Sequence, residues 1–292
     1  MTGGTADSPR IGFVGLGDQG APMARAVGAA GFDLAVWARR AASVSVLDGI
    51  PHRVAATPEQ LATQSDIVLL CLRDDADLTD ILFEQGMLAA MRPGTILVNH
   101  ATGLPAYSRS IAEAAAARGV LSLDAPVSGG GAGAAERTLT TIVGGDLDAF
   151  VRARPVFETF SSSVVRMGGA GAGQTAKLLN NALTMTNLAN AADVLHAASA
   201  LGVDIAALRQ MLDSSSGGSY VLSALNRQIA PSLTPHLAGL MHKDIEHFAE
   251  AMAAAGVDGT ALRDRGLAGA DGLVAATRLV ADAEATRPTV RR

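Results

Sequence analysis

The chain has 292 residues, of which 49% are hydrophobic and 17% are charged, and its formal net charge is −5. This length predicts about two domains, each large enough to bury a core of its own. The acidic balance gives no basic field that would attract phosphates, so neither a nucleic acid nor an anionic membrane is an expected partner.

Cysteine content and hydropathy predict the compartment. The single cysteine, Cys71, cannot form an intramolecular disulfide, which is typical of proteins in a reducing cytoplasm. The first ten residues lack the apolar segment of a signal peptide, and no run approaches the roughly twenty apolar residues of a membrane span. We therefore expect a cytoplasmic protein that is not held in a membrane.

A glycine-rich turn near the N-terminus predicts a dinucleotide site. An apolar strand at residues 10–14 is followed by a helical pattern at residues 21–30, and the turn between them comprises Gly15, Leu16, Gly17, Asp18, Gln19 and Gly20. Strand, GxGxxG turn and helix is the order that a dinucleotide fingerprint requires. Gly15 permits the tight turn, Gly17 lets the pyrophosphate approach the backbone, and Gly20 lets the helix pack on the strand. The N–H groups at the helix start then bind the phosphates.

The residues after the second strand favour NADP(H) over NAD(H). This strand spans residues 33–37 and is followed by Arg39 and Arg40, and no acidic residue stands between Asp33 and Asp48. An acidic residue at this place binds the ribose hydroxyls of NAD, whereas an arginine suits the 2′-phosphate of NADP. For Arg40 the alternative is a solvated helix start.

Apolar runs alternate with helical patterns as far as residue 166. The later strands are predicted at residues 52–55, 65–72, 95–99, 119–124, 138–143 and 163–166. This alternation predicts an α/β fold with a Rossmann-type, doubly wound and mostly parallel sheet. Leu72 and Arg73 are candidate cofactor residues, because a parallel sheet presents the loops after its strands to the cofactor.

Two polar positions after later strands are candidates for substrate binding. His100 directly follows a strand, although an isolated histidine is more often a packing or surface residue. The loop of Ser128, Gly129 and Gly130 offers backbone N–H groups and a hydroxyl, which together make a compact anion site. The alternative for this loop is a flexible turn.

The second half of the chain is helical. Helices are predicted at residues 174–200, 204–212, 220–229, 238–255 and 258–285. We therefore expect an NADP-binding domain over residues 1–168 and an all-α substrate and dimerisation domain over residues 169–292, which begins with a long interdomain helix. The low-charge, alanine-rich helices offer apolar faces to a partner, so oligomerisation is expected.

The lysine content singles out one helix for the chemistry. Of 23 basic Lys and Arg residues, only Lys177 and Lys243 are lysines. Arginine stays protonated, whereas an ammonium can lose its proton when its surroundings shift its pKa. Asn181 lies four residues after Lys177, so both side chains share one helical face. From the count alone, the alternative is that the two lysines have been retained by chance on solvated helix faces.

Four motifs together resemble the β-hydroxyacid dehydrogenases, the family of 3-hydroxyisobutyrate dehydrogenase, tartronate semialdehyde reductase and glyoxylate/succinic semialdehyde reductase. The motifs lie at residues 15–24, 124–130 and 171–181 and at the pair Lys243-Asp244. The resemblance covers roughly residues 10–257. Each motif alone is weakly specific, but their order and spacing together are highly specific.

The resemblance implies reversible hydride transfer between NADP and a small β-hydroxy acid or its semialdehyde. It places the general acid/base on Lys177 and the substrate-binding groups on Ser128, Gly129, Gly130 and Asn181. Thr102 falls near the nicotinamide ribose, Lys243 falls on the cofactor side, and Asp244 is expected to orient helices. A homodimer or homotetramer is implied, and no metal site is expected.

Several positions depart from the family pattern and leave the substrate open. Residues 99–105 resemble the corresponding segment of imine reductases, which share the fold. Arg137 replaces a usual glycine, His236 stands where an aromatic residue is common, and Ala38 replaces the asparagine before Arg39. The alternatives are therefore an imine reductase, disfavoured by Lys177, and a non-catalytic protein that binds NADP or a metabolite.

Overall fold

The computed structural model describes residues 8–286, which divide into two compact units. The first unit ends at Lys177 and the second begins at Leu178. The dividing point falls within a single long helix, Ala172–Ala200, which is named α8 below. The domain boundary expected at residue 168 stays a prediction.

The first unit is built on a nine-stranded sheet. Its strands are β1 (Ile11–Val14), β2 (Leu34–Trp37), β3 (Arg53–Val54), β4 (Ile67–Leu70), β5 (Ile96–Asn99), β6 (Leu121–Asp124), β7 (Val127–Ser128), β8 (Leu139–Gly145) and β9 (Ser161–Gly168). The strand order is β3-β2-β1-β4-β5-β6-β8-β7, and β9 pairs with β8. The strands from β3 to β6 are all parallel, whereas β8 runs antiparallel to β6 and β7. This order confirms the predicted mostly parallel sheet.

Helices cover both faces of this sheet. They are α1 (Gly20–Ala29), α2 (Pro58–Gln64), α3 (Asp75–Thr79), α4 (Met87–Ala90), α5 (Pro105–Ala116), α6 (Gly130–Glu136) and α7 (Leu147–Phe157), with a 3-10 helix at Ala41–Leu47 and a π-helical turn at Asp80–Glu84. Alternate strand residues enter opposite cores, because side chains along a strand point to alternate faces. Phe13 packs with α1 and α7, whereas Val14 packs with α2 and α5. The predicted doubly wound arrangement is confirmed.

The parallel strands end at a common edge. Val14 at the end of β1 pairs with Trp37 and Leu70, and Asn99 at the end of β5 pairs with Leu70 and Asp124. The turns that follow β1, β2, β4, β5 and β6 therefore all leave the sheet at one edge. In open α/β sheets this carboxyl edge is where ligands bind.

The second unit is helical, as predicted. It contains α8 from Leu178 onward, α9 (Ile205–Leu212), α10 (Tyr220–Ala224), α11 (Thr234–Ala254) and α12 (Thr260–Ala285). Its core includes Leu188, Phe248 and Leu273. Helices α8 and α12 touch backbone to backbone, since a Cβ on Gly269 would lie 1.9 Å from the Met185 carbonyl oxygen.

The helix expected over residues 220–229 is wrong beyond Ala224. Arg209 is buried at 1% exposure and donates hydrogen bonds to the carbonyl oxygens of Ser223, at 2.7 Å, and Leu225. It also pairs with Glu284 near the end of α12. A buried guanidinium requires several acceptors. The carbonyls of Ser223 and Leu225 supply two of them, and Asn226, just beyond, takes a left-handed conformation with φ of 58°.

Helix length and hydropathy also bear on membrane insertion. Within residues 8–286, none of the helices combines the length and the apolar character that crossing a membrane requires.

Candidate active site

The glycine-rich turn after β1 closes only because two of its residues lack a side chain. Gly15 has φ of +98°, and a Cβ there would lie 2.1 Å from the carbonyl oxygen of Cys71. A Cβ on Gly20 would lie 1.8 Å from the carbonyl oxygen of Gly15. Both distances are far below van der Waals contact, so the protein's own backbone demands glycine at these positions.

Gly17 differs from its two neighbours, because the fold itself does not require it. No heavy atom of the described residues lies within 4 Å of a Cβ built there. The turn thus leaves open space beside the Gly17 backbone, as the close approach of a pyrophosphate requires. The start of α1 adds to this fit. Its cap residue, Gln19, makes no side-chain cap bond within the part of the chain that the structure describes. The first N–H groups of a helix have no partner inside the helix, so those of α1 can bind phosphate oxygens.

Two of the arginines predicted for the cofactor, Arg39 and Arg73, follow strands at the same edge and contact acidic residues. Nη2 of Arg39 donates to Asp77 Oδ1 at 3.1 Å and to Asp80 Oδ2 at 3.2 Å. Arg73 donates through Nε to Asp74 Oδ2 at 2.8 Å. Arg40 is exposed and immediately precedes the 3-10 helix. This is the solvated helix start that was the alternative expectation for Arg40. Leu72 and Thr102 are half-buried at this edge, Leu72 against the core that contains Val14.

The Ser128 loop forms a defined turn that leads into α6. Ser128 ends β7 opposite Thr140, Gly129 has φ of +131°, and the helix begins at Gly130. A Cβ on Gly131 would lie 3.2 Å from the carbonyl oxygen of Asp18, so this turn touches the glycine-rich turn after β1. The first unit therefore brings the two predicted anion-binding turns together.

Asp124 anchors the helix that carries Lys177. Its carboxylate oxygens accept hydrogen bonds from the backbone N–H groups of Gly171 and Gln174, each at 2.8 Å. Burial raises the pKa of Asp124, and the hydrogen bond from Gln174 opposes that shift. A Cβ on Gly173 would lie 2.5 Å from the Asp124 carbonyl oxygen, so α8 begins directly on the backbone of β6. Lys177, one turn further along α8, is buried at 8% exposure.

Gln174 ties the same helix to the loop after β5. Its Nε2 donates to the Ala101 carbonyl oxygen at 2.7 Å, and its Oε1 accepts from the Gly103 N–H at 3.1 Å. Thr102 lies between these two contacts. This role of Gln174 was not predicted, since nothing in the local sequence pattern distinguishes a buried glutamine from one on a solvated helix face. For Asp124, a carboxylate at the last position of a predicted strand was the available signal.

His100 lies in the core of the first unit. It is 3% exposed, and its ring meets those of Phe157 and Phe160 edge to face at centroid distances of 5.6 and 5.7 Å. Nδ1 lies 2.7 Å from the carbonyl oxygen of Ala125, which can only accept, so Nδ1 carries the proton. Burial lowers the pKa of His100 to about 4, so the ring is neutral at pH 7. This placement gives His100 a packing role, and the substrate contact expected for it has no support in this geometry.

In the second unit, Asp244 contacts two predicted site residues. Asn181 Nδ2 donates to Asp244 Oδ2 at 2.7 Å, and both side chains are buried. Lys243 Nζ lies 3.2 Å from Asp244 Oδ1. The Asn180 side chain donates to Asn181 Oδ1 at 3.1 Å, so the Asn181 amide is oriented by contacts on both ends.

Two further departures from the family pattern lie in the first turn of α11 and at the end of α6. His236 is exposed in the first turn of α11. Arg137 caps α6 in a left-handed conformation with φ of 59°, where glycine is the usual residue. This position accounts for the glycine that the family commonly has there.

Two family models match the chain. Residues 10–169 match the NAD-binding domain of 6-phosphogluconate dehydrogenase, and residues 171–264 match the model described as NAD-binding of NADP-dependent 3-hydroxyisobutyrate dehydrogenase.

Relatives and solved structures agree with these matches. An NAD-dependent L-serine dehydrogenase of Pseudomonas aeruginosa is 35% identical, over 80% of each chain. A 3-hydroxyisobutyrate dehydrogenase of the same organism is also 35% identical, over 80% of this chain and 82% of the relative. The structure of Mycobacterium tuberculosis 3-hydroxyisobutyrate dehydrogenase with L-serine matches with a TM-score of 0.81 and 26% identity, over 94% of this chain and 99% of that one. An imine reductase from Pseudomonas sp. has a TM-score of 0.63 at 20% identity, over 95% of each chain, and shares the fold alone.

The site and the matches lead to one assignment. A dinucleotide turn stands at the sheet edge, and family models together span most of the chain from residue 10 to residue 264. The chain therefore belongs to the β-hydroxyacid dehydrogenase family and is an NAD(P)-dependent oxidoreductase that acts on CH–OH groups.

Proposed function

We propose that the protein transfers a hydride between NADP and the carbinol carbon of a small β-hydroxy acid, or its semialdehyde, with Lys177 as the general acid/base. The observation that carries this proposal is the burial of Lys177 on a helix anchored at the carboxyl edge of the sheet. Lysine is rarely buried, and a buried ammonium can exchange a proton where arginine cannot. Such an amine suits the proton transfer that accompanies hydride transfer at a CH–OH group.

Each residue has one role in the proposed mechanism. The bound nicotinamide supplies the hydride chemistry. Lys177 Nζ exchanges a proton with the substrate oxygen and stabilises charge that develops there. The Ser128 hydroxyl and the N–H groups of Gly129 and Gly130 hold the carboxylate. Asn181 holds the substrate hydroxyl or carboxylate.

Further residues would support the cofactor and the substrate-binding amide. Asp244 fixes the amide of Asn181 through the 2.7 Å hydrogen bond. Thr102 is assigned to the nicotinamide ribose, and Lys243 is assigned to the cofactor. These assignments follow the family resemblance, residue by residue.

The names of the relatives support the substrate class. One is called an L-serine dehydrogenase and another a 3-hydroxyisobutyrate dehydrogenase. L-Serine and 3-hydroxyisobutyrate both carry a hydroxyl on the carbon β to a carboxylate. A site with one carboxylate-binding turn and one proton-transfer amine fits this shared arrangement, and we therefore propose a β-hydroxy acid of this size.

The preference for NADP over NAD is proposed from Arg39. Its guanidinium stands after β2, where a 2′-phosphate would be bound, and residues 34–47 contain no acidic residue. One relative is named NAD-dependent, so both cofactors belong in the test.

Replacement of Lys177 tests the mechanism. We expect Lys177→Ala to lower kcat by about two to four orders of magnitude, because the proton-transfer group is lost. Lys177→Arg keeps the positive charge but cannot give up a proton, so it should be similarly impaired. Steady-state kinetics would measure both, and NADPH binding by fluorescence titration should stay within a few-fold of the wild type. A kcat for Lys177→Ala close to the wild-type value would contradict the assignment.

A substrate panel separates this function from its nearest alternative. Small β-hydroxy acids and semialdehydes would be assayed beside cyclic imines, each with NAD(H) and NADP(H). We expect turnover of one or more β-hydroxy acids and a higher kcat/KM with NADP. Reduction of imines without any turnover of hydroxy acids would instead establish an imine reductase.

A further inference from the structure

The side chain of Arg39 is already engaged by two carboxylates of the same unit. One nitrogen, Nη2, donates to Asp77 Oδ1 at 3.1 Å and to Asp80 Oδ2 at 3.2 Å. Asp77 lies on α3, and Asp80 begins the π-helical turn that follows it. Arg39 therefore joins the segment after β2 to the segment after β4.

These ion pairs cross the part of the edge where the dinucleotide turn begins. In the sheet, β1 lies between β2 and β4, and Val14 at its end is in register with both Trp37 and Leu70. A side chain that reaches from the β2 segment to the β4 segment must pass over the end of β1. The adenosine part of a dinucleotide binds beside the loops that follow these strands. The pairs of Arg39 with Asp77 and Asp80 thus lie at the edge where the adenosine ribose, and with it a 2′-phosphate, would bind.

The acidic residues in this segment outnumber the arginines that face them. Asp74, Asp75, Asp77 and Asp80 lie within seven consecutive residues. Arg73 is itself paired, with Asp74 at 2.8 Å and with Asp77 at 3.6 Å. A 2′-phosphate that binds Arg39 must therefore share its guanidinium with the two carboxylates that contact it. The negative charge of the phosphate would also lie within a few ångströms of two other negative charges, those of Asp77 and Asp80, which contact the same guanidinium.

We propose that Asp77 and Asp80 are specificity-determining residues that compete with the 2′-phosphate for Arg39. They lower the affinity for NADP and leave the affinity for NAD nearly unchanged, because NAD has no phosphate at that position. The enzyme is consequently less selective for NADP than Arg39 alone would make it. This inference rests on the proposed contact between Arg39 and the 2′-phosphate.

Binding of two nucleotide fragments isolates the effect. Adenosine 2′,5′-bisphosphate and adenosine 5′-monophosphate differ only in the 2′-phosphate, and calorimetry on the full chain gives the Kd of each. In Asp77→Asn, Asp80→Asn and the double variant, the carboxylate charge is removed with little change in shape. We expect the double variant to bind the bisphosphate about three- to tenfold more tightly and each single variant to show part of this gain. Binding of the monophosphate should not change.

A matched control uses another exposed aspartate–arginine pair of the same unit. Asp33 accepts from Arg53 at 3.0 Å, with half-exposed side chains like those of Arg39 and Asp80. Asp33 precedes β2, so it lies at the opposite edge of the sheet. Asp33→Asn removes one negative charge away from the cofactor edge and should leave the Kd of both fragments unchanged. An equal gain in this control would assign the effect to net charge and would overturn the proposal.

Arg39→Ala separates failure of the inference from failure of the cofactor proposal. In the wild-type background it should weaken bisphosphate binding, and in the double-variant background it should abolish the gain. If Arg39→Ala weakens binding but the aspartate variants bind the bisphosphate no more tightly, Asp77 and Asp80 are not competitors, although the proposed role of Arg39 stands. If Arg39→Ala changes bisphosphate binding in neither background, the proposed role of Arg39 is wrong and the inference falls with it.

Discussion

At the scale of single residues, the glycines of the first turn separate into two kinds. Gly15 and Gly20 are required by the backbone around them, because added Cβ atoms would lie 2.1 and 1.8 Å from carbonyl oxygens. A Cβ added to Gly17 would have no described heavy atom within 4 Å. One motif therefore combines a requirement of the fold with a requirement of the ligand, and the two can be tested separately.

We expect Gly17→Ala to fold like the wild type and to bind NAD(P) at least tenfold more weakly, since the methyl group would occupy the space beside the pyrophosphate. Gly20→Ala is the matched control and should lose stability, because the new Cβ would overlap the Gly15 carbonyl oxygen. Thermal unfolding measures the stability of each variant, and fluorescence titration measures its affinity for NAD(P). A Gly17→Ala protein with wild-type affinity would show that the pyrophosphate does not approach this residue.

His100 gives a prediction for acid stability. Burial lowers its pKa to about 4 in the folded protein, from 6.5 when unfolded. Below pH 6.5 the unfolded chain therefore binds a proton that the folded chain does not, and the free energy of unfolding falls as the pH is lowered. The stabilisation that depends on the neutral form of His100 is fully present above pH 6.5. The resulting loss in the free energy of unfolding reaches about 3 kcal/mol near pH 4.

Urea unfolding at pH 7, 5.5 and 4.5 would measure this loss. His100→Leu is less stable overall, since the Ala125 carbonyl oxygen loses its donor, but its stability should depend less steeply on pH over this range. The comparison uses the slope of the free energy of unfolding against pH, and not the absolute free energy of unfolding. Equal slopes for the wild type and His100→Leu would contradict the prediction.

At the scale of elements, the start of α8 links the catalytic proposal to the sheet. Asp124 accepts hydrogen bonds from two backbone N–H groups at the start of α8, and the Gln174 side chain forms hydrogen bonds with the loop after β5. Lys177 is one turn away on the same helix. Because these contacts are buried, they position Lys177 relative to Thr102.

We expect Asp124→Asn to lower the free energy of unfolding by about 1–3 kcal/mol, because an amide presents only one acceptor oxygen to two N–H groups. It should also lower kcat more than it changes KM, since Lys177 would be less well positioned. Asp146→Asn is the control: Asp146 caps α7 through the Ala149 N–H at 2.9 Å, away from the carboxyl edge. It should lower the free energy of unfolding by less than about 1 kcal/mol, because asparagine is also a good N-cap residue, and should leave kcat unchanged. Unaltered kcat in Asp124→Asn would show that the anchor serves stability alone.

At the scale of the whole molecule, exposed apolar side chains on the second unit support the proposed homodimer or homotetramer. Several large apolar residues there are half or more exposed, among them Leu183 at 56%, Tyr220 at 70% and Leu201 at 80%. Burial of such residues in an interface between copies would contribute about 25 cal/mol for each Å² of apolar area.

Sedimentation velocity should give two or four times the chain mass. Leu183→Glu should weaken association, because it places a charge on the exposed face of α8. Val151→Glu is the matched control, on α7 of the first unit at a similar exposure of 59%, and should not alter the assembly. A monomeric wild-type protein would exclude the proposed assembly.

Much of the fold could be predicted because its signals are local. The parallel strands β1, β2, β4 and β5 were apolar runs a few residues long, and the glycine spacing marked the turn between β1 and α1, whereas the short β7 was not predicted. The start of α2 is equally local, since Thr57 accepts the Gln60 N–H and Pro58 is the first helical residue. These features depend on neighbours within four residues, so one sequence was sufficient.

What the tertiary structure alone decided depends on contacts between distant residues. Arg209 ends α10 early by taking carbonyl groups 14 and 16 residues away. Arg39 meets Asp77 and Asp80, which are 38 and 41 residues distant, and Gln174 reaches a loop more than 70 residues away. His100 became a core residue only because two phenylalanines of another segment pack on its ring. The sequence by itself determined the strands, the dinucleotide turn and the family, whereas the partners of its polar side chains were decided by packing, because no local pattern encodes which buried groups will meet.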